Sequence, residues 1–166
     1  MKNQNIIIGL LAILVLGSIW WFTSQDQSSS QQETTALEIT TTESKSALVA
    51  TSNSYDFGEI DIFAGDVSTT YTLENTGTEP VTITSATTSC MCTEGEIGGI
   101  TFGMHESDLD SLVIPAGATE VLTATYDPLA HGPNGTGPVT RVLTLKTDST
   151  ETPQVELRLS ANVTKN

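Results

Sequence analysis

From about Thr51 to Asn166 the chain is patterned in period two, in short bursts separated by turn residues. Val67, Thr69, Tyr71 and Leu73 fall on one face, and Ser68, Thr70 and Thr72 on the other. Val81 to Ala86, Glu120 to Tyr126, Val139 to Leu145 and Val155 to Val163 continue in the same manner. Side chains alternate across a strand, so this pattern gives each segment one apolar face. Thr, Val and Ile suit a pleated surface, and no convincing helical period follows Phe22. Between bursts, Asn75-Thr76-Gly77-Thr78-Glu79-Pro80 reads as a turn, because Asn and Gly tolerate left-handed dihedrals and Pro ends a ladder. The pattern predicts an all-β fold: an Ig-like antiparallel β-sandwich of about seven strands.

The residues before this domain read differently. Ile6 to Phe22 is an apolar run broken only by Gly9, Gly17 and Ser18, at the short end of what spans a bilayer as a helix. It ends in Trp20-Trp21-Phe22, aromatics that favour the membrane–water boundary, and no Ala-x-Ala cleavage pattern follows. Residues 1–22 are therefore expected to be an uncleaved signal anchor, with a cleaved signal peptide as the alternative. Lys2 precedes the run and no Lys or Arg follows it until Lys45, which places the N-terminus in the cytoplasm and the remainder outside. Residues 23–50, rich in Ser, Thr, Gln and Glu, bury too little apolar surface to offset ordering entropy and read as a flexible linker. Residues 51–166 form the expected folded domain. This organisation predicts a single-pass membrane protein with an extracytoplasmic C-terminal domain.

The formal net charge is −14, from 20 Asp and Glu against 6 Lys and Arg. Such a surface argues against nucleic acid and anionic headgroups as partners, since both need a basic face. It fits a soluble, self-repelling secreted surface and identifies no partner.

The quoted motifs bring a family into view. Tyr55-Asp56-Phe57-Gly58-Glu59-Ile60, Leu73 to Ile83, Ser89-Cys90-Met91-Cys92-Thr93, Pro115-Ala116-Gly117 and Tyr126-Asp127-Pro128 together resemble a bacterial envelope family of unknown function. That family is Ig-like and related to the Hydin-type domains of ciliary and centrosomal proteins, and the resemblance covers about Ser54 to Val163. It implies the sandwich fold but no activity. Two departures stand out: Met91 replaces the Gly usual between the cysteines, and Glu94 to Ile114 replaces a short connection. A subset with the longer connection is similar in its Phe102-Gly103-Met104-His105 stretch and in His131-Gly132.

The two cysteines of the chain, Cys90 and Cys92, are separated by one residue. With Met104, His105 and His131 they form a candidate soft-metal set, for which Cu(I) is the better match and Zn(II) the second. Ig topology permits convergence. If the strand at 67–75 runs up, the one at 81–87 runs down and so does the one at 119–127, which pairs with 67–75. The cysteines and His131 then share one pole. The 94–114 segment leaves from there and can bring Met104 and His105 back to it, so all five can meet. The solvated-surface alternative for the histidines stays open. A Cys90–Cys92 disulfide is compatible with an outer compartment. In an extended strand, however, residues i and i+2 stand about 6.5–7 Å apart, at or beyond the usual disulfide separation, so closure needs a kinked backbone and strand geometry counts against it.

No phosphate loop, nucleophile elbow, metalloprotease helix or dinucleotide fingerprint occurs. Asp108 and Asp110 lack the Gly and distal Glu of an EF-hand and read as part of a solvated loop. Three functions follow. The leading one is a non-enzymatic, membrane-anchored binding or scaffold module presenting its loop end to a protein or envelope component. The alternative is a soft-metal protein holding Cu(I), or less well Zn(II), at the cysteine pole. The third is an extracytoplasmic thiol redox protein.

Overall fold

The computed structural model describes residues 44–166, apart from the side chains of Asp110 and Ser111. The expected anchor at 1–22, and the linker up to residue 43, lie outside the described residues. Ten strands follow in order: β1 (Leu48–Ala50), β2 (Ser54–Asp61), β3 (Val67–Asn75), β4 (Val81–Thr88), β5 (Thr93–Ile97), β6 (Ile100–Phe102), β7 (Ser107–Ile114), β8 (Thr119–Tyr126), β9 (Gly137–Thr147) and β10 (Gln154–Thr164). No helix forms among the described residues, and so none there is long and apolar enough to cross a membrane.

Two five-stranded sheets result, ordered β1-β3-β8-β5-β6 and β2-β10-β9-β4-β7. Their inner faces carry the alternating positions read from sequence. Tyr71, Leu73, Leu122, Ala124 and Tyr126 come from the first sheet, and Val81, Ile83, Leu143, Leu145, Leu157 and Leu159 from the second. Each of these side chains is buried, and burying one Leu or Ile stabilises a fold by about 2 kcal/mol.

Four expectations need correction. The strand count is ten rather than about seven, and the second sheet is mixed, because β2 pairs with β10 in parallel from Ser54↔Arg158 onward. Residues before Thr51, read as linker, also belong to the described sandwich. Ser44 bridges to Ser149, Leu48 is fully buried, and β1 pairs antiparallel with β3. Short hydroxyl side chains allow this close packing: Ser46 Oγ accepts from Glu79 N at 2.7 Å and Leu48 N donates to Thr152 Oγ1 at 2.8 Å. Finally, the Glu94–Ile114 connection is three strands rather than a loop. Gly98 and Gly99, with φ of 58° and 77°, make the two-residue turn that joins β5 to β6. Asp108 and Asp110 therefore sit in the edge strand β7.

The turn after β3 is built differently from its sequence reading. Asn75 and Gly77 are not left-handed; among the described residues none other than glycine has positive φ, and Gly77 is absent from the positive-φ glycines. Gly77 is needed because any Cβ there would overlap Ser46. Asn75 is fully buried: its Nδ2 donates to the carbonyls of Glu79 (2.8 Å) and Ile114 (2.9 Å), and its Oδ1 accepts from Gly77 N (3.1 Å). Removing this amide strands two carbonyls and one N–H, each costly to leave unpaired. Asn75→Ala should therefore lower unfolding free energy by about 3 kcal/mol in urea titrations, where a loss under about 1 kcal/mol would refute this role.

Tyr71 ties the sheets together, its hydroxyl donating to the Arg158 carbonyl of β10 at 2.7 Å. Burial, with a smaller push from Tyr55, raises its phenol from 10.0 to about 12. The unfolded chain releases this proton from pH 10.0 and the fold holds it until about 12. The raised value thus contributes stability that is complete below pH 10.0 and lost as pH climbs toward 12. Denaturation midpoints should fall across that window, and Tyr71→Phe should flatten part of the fall while lowering stability at neutral pH.

Candidate functional site

The pole at the end of β4 is shaped by where that strand stops. Ser89 still pairs with β9, its N donating to Val142 O at 2.8 Å and its Oγ accepting from Val142 N at 2.9 Å. The chain then reverses over Cys90–Thr93, closed by Thr93 N donating to Cys90 O at 3.1 Å. Thr88 Oγ1 lies 2.9 Å from the carbonyls of both Cys90 and Thr93, clamping the turn from beneath. Cys90 and Cys92 form a disulfide across this turn, with Cα atoms 5.2 Å apart. The strand-based argument against the bond therefore fails. It assumed extended backbone, whereas the turn brings the two Cα atoms into the ordinary disulfide range.

The two sulfurs have different surroundings. Cys90 is partly exposed, and its Sγ lies 3.2 Å from His131 Nε2. Cys92 is only 2% exposed, and its Sγ accepts from Arg141 Nε at 3.0 Å. Cys92 N also points at Cys90 Sγ, at 3.2 Å. Arg141 is on β9, and its guanidinium stands 5.7 Å over the ring of Tyr126 while Nη1 donates to Thr140 O at 2.9 Å. A cation over an aromatic face is held electrostatically, so the guanidinium is aimed before any charge forms on sulfur. Burial raises the Tyr126 phenol above its ordinary value, and Asp127 adds to the rise, while Arg141 pulls it down.

His131 arrives from the loop after β8. Asp127 N donates to Cys92 O at 2.9 Å, and Asp127 Oδ1 accepts from Leu129 N at 2.7 Å. The loop then turns through Gly132 N to Leu129 O at 2.7 Å, which sets His131 against the disulfide. Cys90, Cys92 and His131 each offer one ligand atom, all within 4.8 Å of one another.

Three of the five expected site residues thus converge. The Met104-His105 stretch reaches the same pole, since Gly103 O accepts from Thr88 N at 2.8 Å, but His105 is outside the ligand cluster and Met104 is 48% exposed. The neighbouring Glu106 turns the other way. Its carboxylate takes Lys146 Nζ at 2.7 Å and Ser85 Oγ at 2.6 Å, and these contacts hold it below its usual range. Arg141 was not anticipated as a site residue. Its signal was in the alternation: it shares the phase of Val139, Leu143 and Leu145, so a charge occupies a core-facing position.

A family model described as "Protein of unknown function (DUF1573)" matches residues 48–163. The chain belongs to this family. Among solved structures, it is similar to a protein of unknown function from Porphyromonas gingivalis W83, at TM-score 0.57 and 14% identity, covering 72% of this chain and 48% of that one. It thus spans about half the length of that protein, and the likeness shows the fold alone. It is also similar to the ASH/PapD-like domain 7 of human CEP192 (TM-score 0.45, 12% identity, 75% of this chain and 88% of that one). No curated protein matches the sequence.

The site makes a kinetic statement. When the S–S bond breaks by attack on the accessible Cys90 Sγ, negative charge appears on Cys92 Sγ beside Arg141. A hydrogen bond to a charged group is worth about 1.5–3 kcal/mol. Arg141→Gln should therefore slow reduction of the disulfide by a small monothiol about tenfold or more, measured by alkylation and mass with Tm as a fold check. An unchanged rate would show that the guanidinium is only a packing element.

Proposed function

We propose that this DUF1573 protein is a membrane-tethered, extracytoplasmic module whose Cys90–Cys92 pair exchanges disulfide with the thiols of an envelope protein. The observation that carries the reading is the asymmetry of the pair: an approachable Cys90 against His131, and a buried Cys92 against Arg141. Supporting the location are the apolar run Ile6–Phe22 behind Lys2 and a disulfide suited to an oxidising compartment. Disulfide exchange is the third of the sequence-based readings, with the sandwich as the scaffold that holds the pair and the electrons passed stoichiometrically. The likeness to envelope and Hydin-type domains belongs to this proposal.

Exchange runs in two steps. A partner thiolate attacks Cys90 Sγ, a mixed disulfide forms, and the electron pair of the Cys90–Cys92 bond leaves on Cys92 Sγ beside the guanidinium. A second partner thiolate then attacks the partner's own sulfur in the mixed disulfide. Cys90 departs as a thiolate next to the imidazole of His131. The partner has lost two electrons to become a disulfide, and the pair has gained them as two thiolates. The reverse sequence reduces a partner disulfide.

The full chain, equilibrated in mixtures of reduced and oxidised glutathione and then alkylated, should pass from no labelled thiols to two. With glutathione as the probe, Cys92→Ser should accumulate a mixed disulfide at Cys90, and Cys90→Ser should accumulate far less at the buried Cys92. A pair that stays closed in fully reduced glutathione is a structural staple, and that result would sink the proposal.

A further inference from the structure

Resting on the reading that the pair opens and closes, we infer that its open form is a Cu(I) site made by Cys90 Sγ, Cys92 Sγ and His131, and that closing the disulfide expels the ion. The three ligand atoms lie within 4.8 Å of one another. Metal–sulfur and metal–imidazole bonds of about 2.3 and 2.0 Å place two ligands of one ion at most about 4.6 Å apart, so once the S–S bond opens and the sulfurs separate on their turn, the imidazole is already within reach of the same ion. Opening the S–S bond supplies two thiolates on the same turn. Closing it removes both at once, because each sulfur's charge and electron pair go into the bond, and His131 alone is left.

Charge selects among metals. Two thiolates carry two negative charges, and the Arg141 guanidinium, 3.0 Å from Cys92 Sγ, returns one positive charge. A monovalent ion brings the sum to zero. A divalent ion leaves a net positive charge against Cys92, which is 2% exposed. Coordination number agrees: soft thiolates with one imidazole suit Cu(I), whereas Zn(II) takes four ligands and His105 is not in the cluster. Arg141 serves both states, donating to Cys92 sulfur whether that sulfur is bonded to Cys90 or to metal.

Coupling to exchange gives the ion a destination. When a partner disulfide oxidises the pair, two electrons pass from Cys90 and Cys92 to the partner, and its sulfurs leave as thiolates. Copper stays Cu(I) throughout. It leaves a site that has lost two donors for a partner that has gained two.

The test uses the full chain in detergent under anaerobic conditions, with Cu(I) alone competed against a chromophoric Cu(I) chelator. Reduced protein should bind one Cu(I) with two sulfurs and one nitrogen by X-ray absorption, and the disulfide form should bind none. Loss of an outer-shell partner already costs about 10–100-fold in metal affinity, so His131→Ala should weaken Cu(I) at least that much. Cys90→Ser/Cys92→Ser should bind none, and added oxidised glutathione should release the ion from the wild type. Absence of Cu(I) from reduced protein, equal binding by the oxidised form, or an unchanged His131→Ala would each overturn the inference. The glutathione titration of the pair is read separately without metal. An exchanging pair that ignores Cu(I) therefore refutes only the metal site, whereas a pair that binds Cu(I) but never closes refutes the exchange and, with it, the expulsion of the ion.

Discussion

The antiparallel pairing of β3 with β8, from Val67↔Tyr126 to Glu74↔Thr119, decides where chemistry can sit in this chain. The chain leaves β3 and returns in the opposite direction through β4, and β8 also runs opposite to β3. Both strands therefore finish at one pole. The cysteine turn follows β4 and the histidine loop follows β8, and a backbone bond, Asp127 N to Cys92 O at 2.9 Å, ties the two together beneath the side-chain contact. A one-residue slip of β8 would turn Leu122, Ala124 and Tyr126 outward, and the loss of that buried surface makes the register unambiguous. The position of His131 is thus a consequence of core packing.

The pole carries a cost that the core does not. Arg141 occupies an inward phase of β9 where Leu143 and Leu145 are fully buried a turn of the pleat away. A guanidinium there is tolerable because Arg141 is only partly buried, Tyr126 offers its ring, and the Thr140 carbonyl and Cys92 sulfur accept its protons. An aliphatic residue would satisfy packing at that position equally well. What the aliphatic residue lacks is a charge aimed at a buried sulfur, and this difference is where fold and function separate.

The sequence carried much of this frame and little of its detail. The strands β3, β4, β8, β9 and β10 were legible because each buries a full apolar face. β5 was not, because its inward positions are Thr93, Gly95 and Ile97, and Gly95 is small so that the Phe102 ring from β6 can lie over it. An apolar face completed by a neighbouring strand leaves no periodicity of its own. β1 was hidden for a related reason: in three residues only Leu48 is buried, and the segment's anchoring is by serine and threonine hydroxyls. At the site, the shared pole of Cys90, Cys92 and His131 followed from topology alone. Their disulfide did not, since it depends on β4 ending at Thr88, and a strand's last residue is the detail that alternation records least well.

Met91 shows how the turn separates fold from recognition. It stands between the cysteines where the resembling sequences carry glycine, yet it needs no glycine conformation, since Met91, like every described non-glycine residue, lacks positive φ. As the first central residue of the Cys90–Thr93 turn, it projects away from the clamp of Thr88 and is 72% exposed. The backbone therefore tolerates a long side chain there without strain, and the disulfide geometry is indifferent to it. An exposed thioether costs hydration without gaining packing in the isolated chain. Leu129, in the loop that leads to His131, and Met104 are exposed on the same pole. This end of the sandwich thus leaves three large apolar side chains in solvent on a chain of net charge −14.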